Sequence, residues 1–102
     1  MTKLSILLCA HCPNASYDDL LAKAISSIYK QSYKDYKLFI VLDECWDGTL
    51  SKVKDVITPD TEIIIRNKKE GLARAKNTGL ERINTEYVAF LDADDEYVSG
   101  KL

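Results

Sequence analysis

Residues 4–9 read LSILLC, a run in which only Ser5 is polar. A continuous apolar run of this length is typical of a strand that is buried on both faces, as in a parallel sheet. Three later runs have the same character, at residues 37–42 (KLFIVL), 62–65 (EIII) and 86–91 (EYVAFL). Together they predict four strands.

The segments between these strands carry apolar residues at helical spacing. The first segment begins near Ser16, which forms a capping-box pattern with Asp19. The second covers residues 49–57, and the third covers residues 71–83 and contains Gly79, which indicates close packing. The resulting order, βαβαβαβ, predicts an α/β fold: a Rossmann-like parallel sheet with helices on both faces.

The composition limits the class of protein. A chain of 102 residues with 46% hydrophobic residues suits one small domain, residues 1–102. Its net charge of -2 argues against a nucleic-acid partner. No apolar run approaches the roughly 20 residues of a transmembrane helix, and the N-terminus is wrongly flanked for a signal peptide. We therefore expect a cytoplasmic location, with any attachment to the inner face of the membrane made by absent parts.

The chain contains three cysteines, Cys9, Cys12 and Cys45, and this odd count argues against a disulfide framework. Cys9 and Cys12 have the spacing of a redox dithiol, and together with Cys45 and His11 they could nominally hold zinc. Pro13 separates the pair from the next helix, and Cys45 is distant in sequence. We favour the interpretation that these are small residues in a turn.

Two of the predicted strands run directly into acidic residues. Residues 92–96 (DADDE) follow the fourth strand, and Asp43, Glu44 and Asp47 follow the second. A divalent cation that carries a phosphorylated ligand would offset the repulsion between such carboxylates, although a solvated acidic turn is the alternative for each. Because ligands of open parallel sheets bind beyond the carboxyl ends of the strands, the two turns together predict one nucleotide site.

Further polar residues are expected at the same edge. Residues 66–69 (RNKK) precede the third helix and favour a diphosphate, or form a solvated basic loop. Arg74 and Asn77 lie about one helical turn apart and face either the site or water. For Asp47 we favour helix capping over ligand contact. Two roles stay open for Trp46: it covers the nucleotide base, or it shields a loop.

Four segments, spread over nearly the whole chain, resemble a known family. They are residues 24–33 (AISSIYKQSY), 40–49 (IVLDECWDGT), 67–79 (NKKEGLARAKNTG) and 90–95 (FLDADD). In this order the chain resembles the N-terminal, nucleotide-sugar-binding half of an inverting family 2 glycosyltransferase with the GT-A fold. The resemblance implies transfer of a sugar from a nucleotide diphosphate, with UDP favoured, to a saccharide or lipid-linked acceptor in polysaccharide synthesis.

The resemblance also implies roles for individual residues. Asp43 would hold the edge of the base, and Asp92 would lie near the ribose or the sugar. Asp94, assisted by Asp95, would bind Mn²⁺ or Mg²⁺, which stabilises the leaving nucleoside diphosphate. The remaining nucleotide-sugar-binding positions that it implies are Ala10, His11, Arg66, Arg74 and Asn77.

The chain departs from the family pattern in three places. Residues 9–12 (CAHC) stand where the family has Pro-Thr-Tyr-Asn, so His11 replaces a base-stacking tyrosine or the stacking is lost. Leu42 stands where members of the family commonly have the first of two consecutive aspartates. The chain stops at Leu102, so we expect the acceptor half and the general base beyond it. We expect this fragment to bind the donor without transferring sugar alone.

Two other functions stay open on the sequence alone. A non-catalytic α/β interaction module would keep the fold without metal-dependent nucleotide binding. A thiol–disulfide oxidoreductase would use Cys9 and Cys12. In either case, apolar surface left by an absent half predicts self-association, as a homodimer or as a concentration-dependent aggregate.

Overall fold

The computed structural model describes residues 3–43, 45–66 and 72–92, with backbone only for Leu72, Ala73 and Asp92. Within these ranges the order of elements is the expected βαβαβαβ. The elements are β1 (Leu4–Ala10), α1 (Ala15–Tyr29), β2 (Tyr36–Asp43), α2 (Gly48–Lys54), β3 (Glu62–Arg66), α3 (Leu72–Arg82) and β4 (Tyr87–Asp92).

The four strands form one parallel sheet in the order β3-β2-β1-β4. The strand β1 is paired along its length with β2, from Leu4 opposite Tyr36 to Ala10 opposite Leu42. On its other side β1 pairs with β4, where Cys9 lies opposite Asp92. All four carboxyl ends therefore lie along one edge of the sheet.

Helices cover both faces of the sheet, as the sequence predicts. Alternate residues of β1 and β2 pack with α1 and α2 in one core cluster that includes Ile6, Leu8 and Ile40. The residues between them pack with α3 in a second cluster, which includes Leu7 and Val41. None of the helices in the described ranges combines the length and apolar character needed to cross a membrane.

The helix boundaries differ from the sequence-based expectations in two places. The N-cap of α1 is Asn14, whose Oδ1 accepts a hydrogen bond from Ser16 N at 3.0 Å, so the prediction of Ser16 as the cap is wrong. Asparagine is as good a cap as serine, and its carbonyl oxygen reaches the N–H two residues further on. The helix α2 ends at Lys54 rather than at residue 57, and Val56 and Ile57 pack on the core beyond it.

Gly79 lets α3 lie directly on the sheet, as the sequence predicts. A Cβ atom at this position would lie 2.4 Å from Leu7 Cδ1 and 3.1 Å from Val41 Cγ2. Both neighbours are buried in the core between α3 and the sheet. A side chain at residue 79 would therefore push the helix away from the two central strands.

Gly79→Ala should lower the free energy of unfolding by about 1–2 kcal/mol, because overpacking outweighs the roughly 1 kcal/mol that alanine gains in helix propensity. Urea unfolding followed by circular dichroism measures the change. Glu81→Ala, at an exposed position of the same helix, is the matched control and should leave the midpoint unchanged or slightly higher. An unchanged midpoint for Gly79→Ala would show that the helix–sheet contact is not tight.

Candidate functional site

The carboxyl edge of the sheet brings together a buried aspartate and an arginine that is mostly covered. Asp43 ends β2 and Arg66 ends β3, and the two residues are direct partners in the parallel ladder. Arg66 Nε lies 3.5 Å from Asp43 Oδ1, and the two side chains are only 13% and 9% exposed, respectively. Charges buried to this extent are normally paired, because an isolated one would lose its hydration without compensation.

Arg66 is also held from the side of α3. Its guanidinium hydrogen-bonds the hydroxyl of Thr78, which in turn donates to the Arg74 carbonyl at 3.0 Å. Because side chains alternate along a strand, Asp43 and Arg66 both face α3. The Asp43–Arg66 pair is thus fixed by backbone register and by a helix. Sequence reasoning missed Thr78, since a threonine within a helix carries no distinguishing signal.

His11 reaches the same corner from β1. Its Nδ1 lies 3.0 Å from the carbonyl oxygen of Asp43. A carbonyl only accepts, so Nδ1 carries the proton of this hydrogen bond. The ring is exposed beside the buried pair. Ala10, the last residue of β1, is 1% exposed and forms part of the core under this corner.

The other candidate residues lie further along the same edge or outside the described ranges. Arg74 and Asn77 are exposed on α3, the helix whose Thr78 contacts Arg66. Asp92 ends β4 in register with Cys9, and only its backbone is described. Asp94 and Asp95 lie outside the described residues, as do residues 67–69. Within the part of the chain that is described, no three acidic, histidine or cysteine side chains cluster as a metal site would require.

A buried acid on α1 organises the loop between β2 and α2. Asp18 is 3% exposed. Its Oδ2 accepts a hydrogen bond from Trp46 Nε1 at 2.9 Å, and its Oδ1 accepts one from Thr49 Oγ1 at 2.7 Å. Sequence reasoning also missed Asp18, because acids in the first turn of a helix are common and usually exposed.

Trp46 is anchored by this acid and is only partly covered. Its indole lies so close to Gly48 that a Cβ atom there would be 2.2 Å from the ring. The side chain remains 41% exposed, so Trp46 both shields the loop and presents a face to solvent. Asp47 stands at the N-cap position of α2 with helical backbone angles and makes no capping hydrogen bond through its side chain. The predicted cap position of Asp47 is thus confirmed, but the expected side-chain hydrogen bond is not formed, and Asp18 binds the first turn through Thr49 instead.

A cleft of about 200 Å³ opens between Trp46 and the edge strand β3. Its lining residues are Leu42, Cys45, Trp46, Asp47, Leu50 and Ile65. Leu42 and Ile65 are strand partners and face the side of the sheet that carries α1 and α2. The cleft and the Asp43–Arg66 pair thus flank the ends of β2 and β3 from opposite faces.

The structure separates Cys9 from Cys12. Cys9 belongs to the core cluster under α3, whereas Cys12 belongs to the cluster under α1 and α2. None of the three cysteines, all of which lie in the described ranges, forms a disulfide bond. The interpretation of Cys9 and Cys12 as a redox pair is therefore wrong, because alternation along β1 and the loop after it places the two residues on opposite faces.

A parallel sheet with helices on both faces is the doubly wound α/β architecture, whose ligands bind beyond the carboxyl ends of the strands. The family model for glycosyl transferase family 2 matches residues 6–102. The chain belongs to this family, and the family resemblance seen in the sequence is confirmed.

Relatives and solved structures agree with this assignment. The chain is 38% identical over 105 residues to the GalNAc(5)-diNAcBac-PP-undecaprenol beta-1,3-glucosyltransferase of Campylobacter jejuni, covering 100% of the chain and 33% of the relative. It is 30% identical over 90 residues to the Escherichia coli UDP-Glc:alpha-D-GlcNAc-diphosphoundecaprenol beta-1,3-glucosyltransferase WfgD, covering 88% of the chain and 36% of the relative. The chain thus spans about a third of the length of these curated relatives.

Among solved structures, the chain is similar to the mannosyltransferase PcManGT of Pyrobaculum calidifontis, in complex with GDP-Man and Mn²⁺. The TM-score is 0.79 at 25% identity, and the match covers 93% of this chain and 28% of that one. The expected GT-A type of fold is therefore confirmed.

Asp18→Ala should lower the free energy of unfolding by about 2–4 kcal/mol, because it leaves the buried Thr49 hydroxyl and the Trp46 indole N–H without their acceptor. The fluorescence of Trp46, the only tryptophan of the chain, reports the transition in urea. Asp19→Ala is the matched control on the next residue. The Asp19 carboxylate pairs with Lys52 at the surface, with its side chain 71% exposed, and should matter little. Equal effects of the two substitutions would contradict the role assigned to Asp18.

Proposed function

We propose that this chain is the donor-binding half of an inverting glycosyltransferase. The donor is a nucleotide diphosphate sugar, with UDP as the favoured nucleotide, and the acceptor is a saccharide or a lipid-linked saccharide in polysaccharide synthesis. The observation that carries the proposal is the buried Asp43–Arg66 pair, in register at the carboxyl edge and adjoined by the exposed ring of His11. The names of the two curated relatives, both glucosyltransferases acting on undecaprenol-linked substrates, support a lipid-linked acceptor.

In this proposal Asp43, Arg66 and His11 form the binding site for the nucleotide base. The carboxylate of Asp43 is an acceptor of the kind that the imide N–H of a uracil ring requires. Arg66 holds the carboxylate in place from the side of α3. The exposed ring of His11 is then available to the nucleoside, at the position where the family commonly has a tyrosine.

The acidic residues that follow β4 in the sequence suit a divalent cation. Asp92 and Asp94 supply hard carboxylate oxygens, the donor chemistry that Mg²⁺ and Mn²⁺ prefer. We assign Asp94 to the metal and Asp92 to the ribose or sugar, with Arg74 and Asn77 nearer the diphosphate. When bound, the cation supplies the charge that stabilises the departing nucleoside diphosphate. The Mn²⁺ in the PcManGT complex supports divalent metal use.

Sugar transfer itself is assigned to the longer protein. An inverting transfer needs a general base that activates the acceptor hydroxyl on the face opposite the leaving group. Because the chain spans about a third of its relatives, we assign it donor binding and place that base in the remaining length.

The cytoplasmic location and the homodimer that the sequence suggests stay predictions. The exposure of Tyr87 and Phe90 on β4, 60% and 47%, supports self-association.

Calorimetric titration of UDP into the chain with Mn²⁺ tests the proposal. We expect weak binding that EDTA or Asp94→Asn abolishes. Asp43→Asn should weaken binding about 10-fold to 100-fold, because the imide N–H of the base then loses the charged carboxylate that accepts its hydrogen bond.

Asp55→Asn is the control for the loss of one carboxylate. Asp55 is exposed and follows the end of α2, at the opposite edge of the sheet from Asp43. Its substitution should therefore leave the affinity for UDP unchanged. Binding that survives both EDTA and Asp94→Asn would contradict the metal assignment. Absence of binding under all conditions would favour a non-catalytic interaction module.

A further inference from the structure

Two cysteines that are distant in sequence meet beneath the candidate site. Cys12 follows β1 and Cys45 follows β2, and both pack in the core cluster shared with α1 and α2. The N–H of Trp46, the residue after Cys45, donates a hydrogen bond to the Cys12 carbonyl at 2.8 Å, which brings the two cysteines close together. The Cys45 thiol in turn donates to the Ala10 carbonyl at 3.6 Å. Neither the apolar pattern nor the spacing of the cysteines predicts this contact.

Backbone contacts hold the two loops together at this point. The hydrogen bond from Trp46 to Cys12 places the peptide unit that follows Cys45 directly against residue 12. The strands that lead into the loops are already paired, with Ala10 opposite Leu42. A disulfide bond requires two nearby backbones, and both side chains pack into the same core cluster beneath the loops.

The two sulfurs differ in accessibility. Cys12 is 0% exposed, whereas Cys45 is half-buried and lines the cleft between Trp46 and β3. The neighbouring Cys12 thiol lowers the pKa of Cys45, against the opposing effect of burial. The proximity of Cys45, together with burial, raises the pKa of Cys12. An incoming reagent therefore meets Cys45 first, and Cys45 is the more readily ionised of the two.

We propose that Cys12 and Cys45 form a dithiol site that reacts with small-molecule disulfides entering this cleft. The Cys45 thiolate attacks one sulfur of the reagent, whose S–S bond breaks, and the first reagent thiolate leaves and takes up a proton. Cys12 then loses its proton and attacks Cys45 in the mixed disulfide, expelling the second reagent thiolate, which is also protonated. The net change oxidises two cysteines to one disulfide and reduces one reagent disulfide to two thiols.

Closure of this bond would affect the candidate site directly. The Cys12–Cys45 disulfide would covalently join the loop that carries His11 to the loop that carries Trp46. It would also place a disulfide next to the only indole of the chain, and disulfides adjacent to tryptophan quench its fluorescence. The reaction is independent of nucleotide binding, so the dithiol proposal and the proposed function can fail separately.

Incubation of the native chain with oxidised glutathione, followed by intact mass and peptide mapping, tests the proposal. We expect loss of two hydrogen masses, a single cross-linked peptide joining Cys12 to Cys45, and a fall in Trp46 fluorescence that dithiothreitol reverses. Cys12→Ser, or Cys12→Ala if the serine variant does not fold, should stop at one glutathione adduct on Cys45. The folded Cys45→Ser variant should not react with oxidised glutathione.

Cys9→Ser is the matched control, since Cys9 is buried on the other face of the sheet. This variant should form the same cross-link at the same rate as the parent chain. A cross-link that includes Cys9, a stable adduct without closure in the parent chain, or no reaction at all would overturn the proposal.

Discussion

The parallel pairing of β1 with both of its neighbours is the constraint on which the rest of the structure depends. Six of its seven residues are buried, and it contacts β2 on one side and β4 on the other. A strand in this position must be apolar on both faces, so both helical layers are required to cover it. Because all its neighbours run in the same direction, four chain segments of unrelated sequence end along one edge. The candidate site is a consequence of that geometry.

The two faces of the sheet give this edge two different chemistries. Alternation along β2 and β3 turns Asp43 and Arg66 toward α3, where Thr78 holds the guanidinium. The preceding residue of each strand, Leu42 and Ile65, faces the other side and lines the cleft. One register therefore separates a charged, hydrogen-bonding corner from an apolar one. Asp18 stabilises the second corner by anchoring the loop that contains Trp46.

Local patterns predict the elements of this fold well, because each buried strand is a continuous apolar run and each helix has apolar residues at helical spacing. They also predict the role of Gly79. They fail where competing side chains offer the same interaction, as with Asn14 and Ser16 at the start of α1. They fail more completely for tertiary contacts. The pairing of Asp43 with Arg66 depends on strand register, and the contact of Cys12 with Cys45 depends on where two loops meet, whereas the sequence spacing favours the wrong partner, Cys9.

The central claim is that the carboxyl edge of the sheet is the nucleotide site. Titration of the isotope-labelled chain with UDP and Mg²⁺, followed by two-dimensional amide NMR, tests it most directly. The account predicts that the largest shifts fall on His11, Asp43 and Arg66, at the ends of three different strands. Shifts centred instead on Tyr36, Asp60 and Thr61, which line a separate cavity, would contradict it.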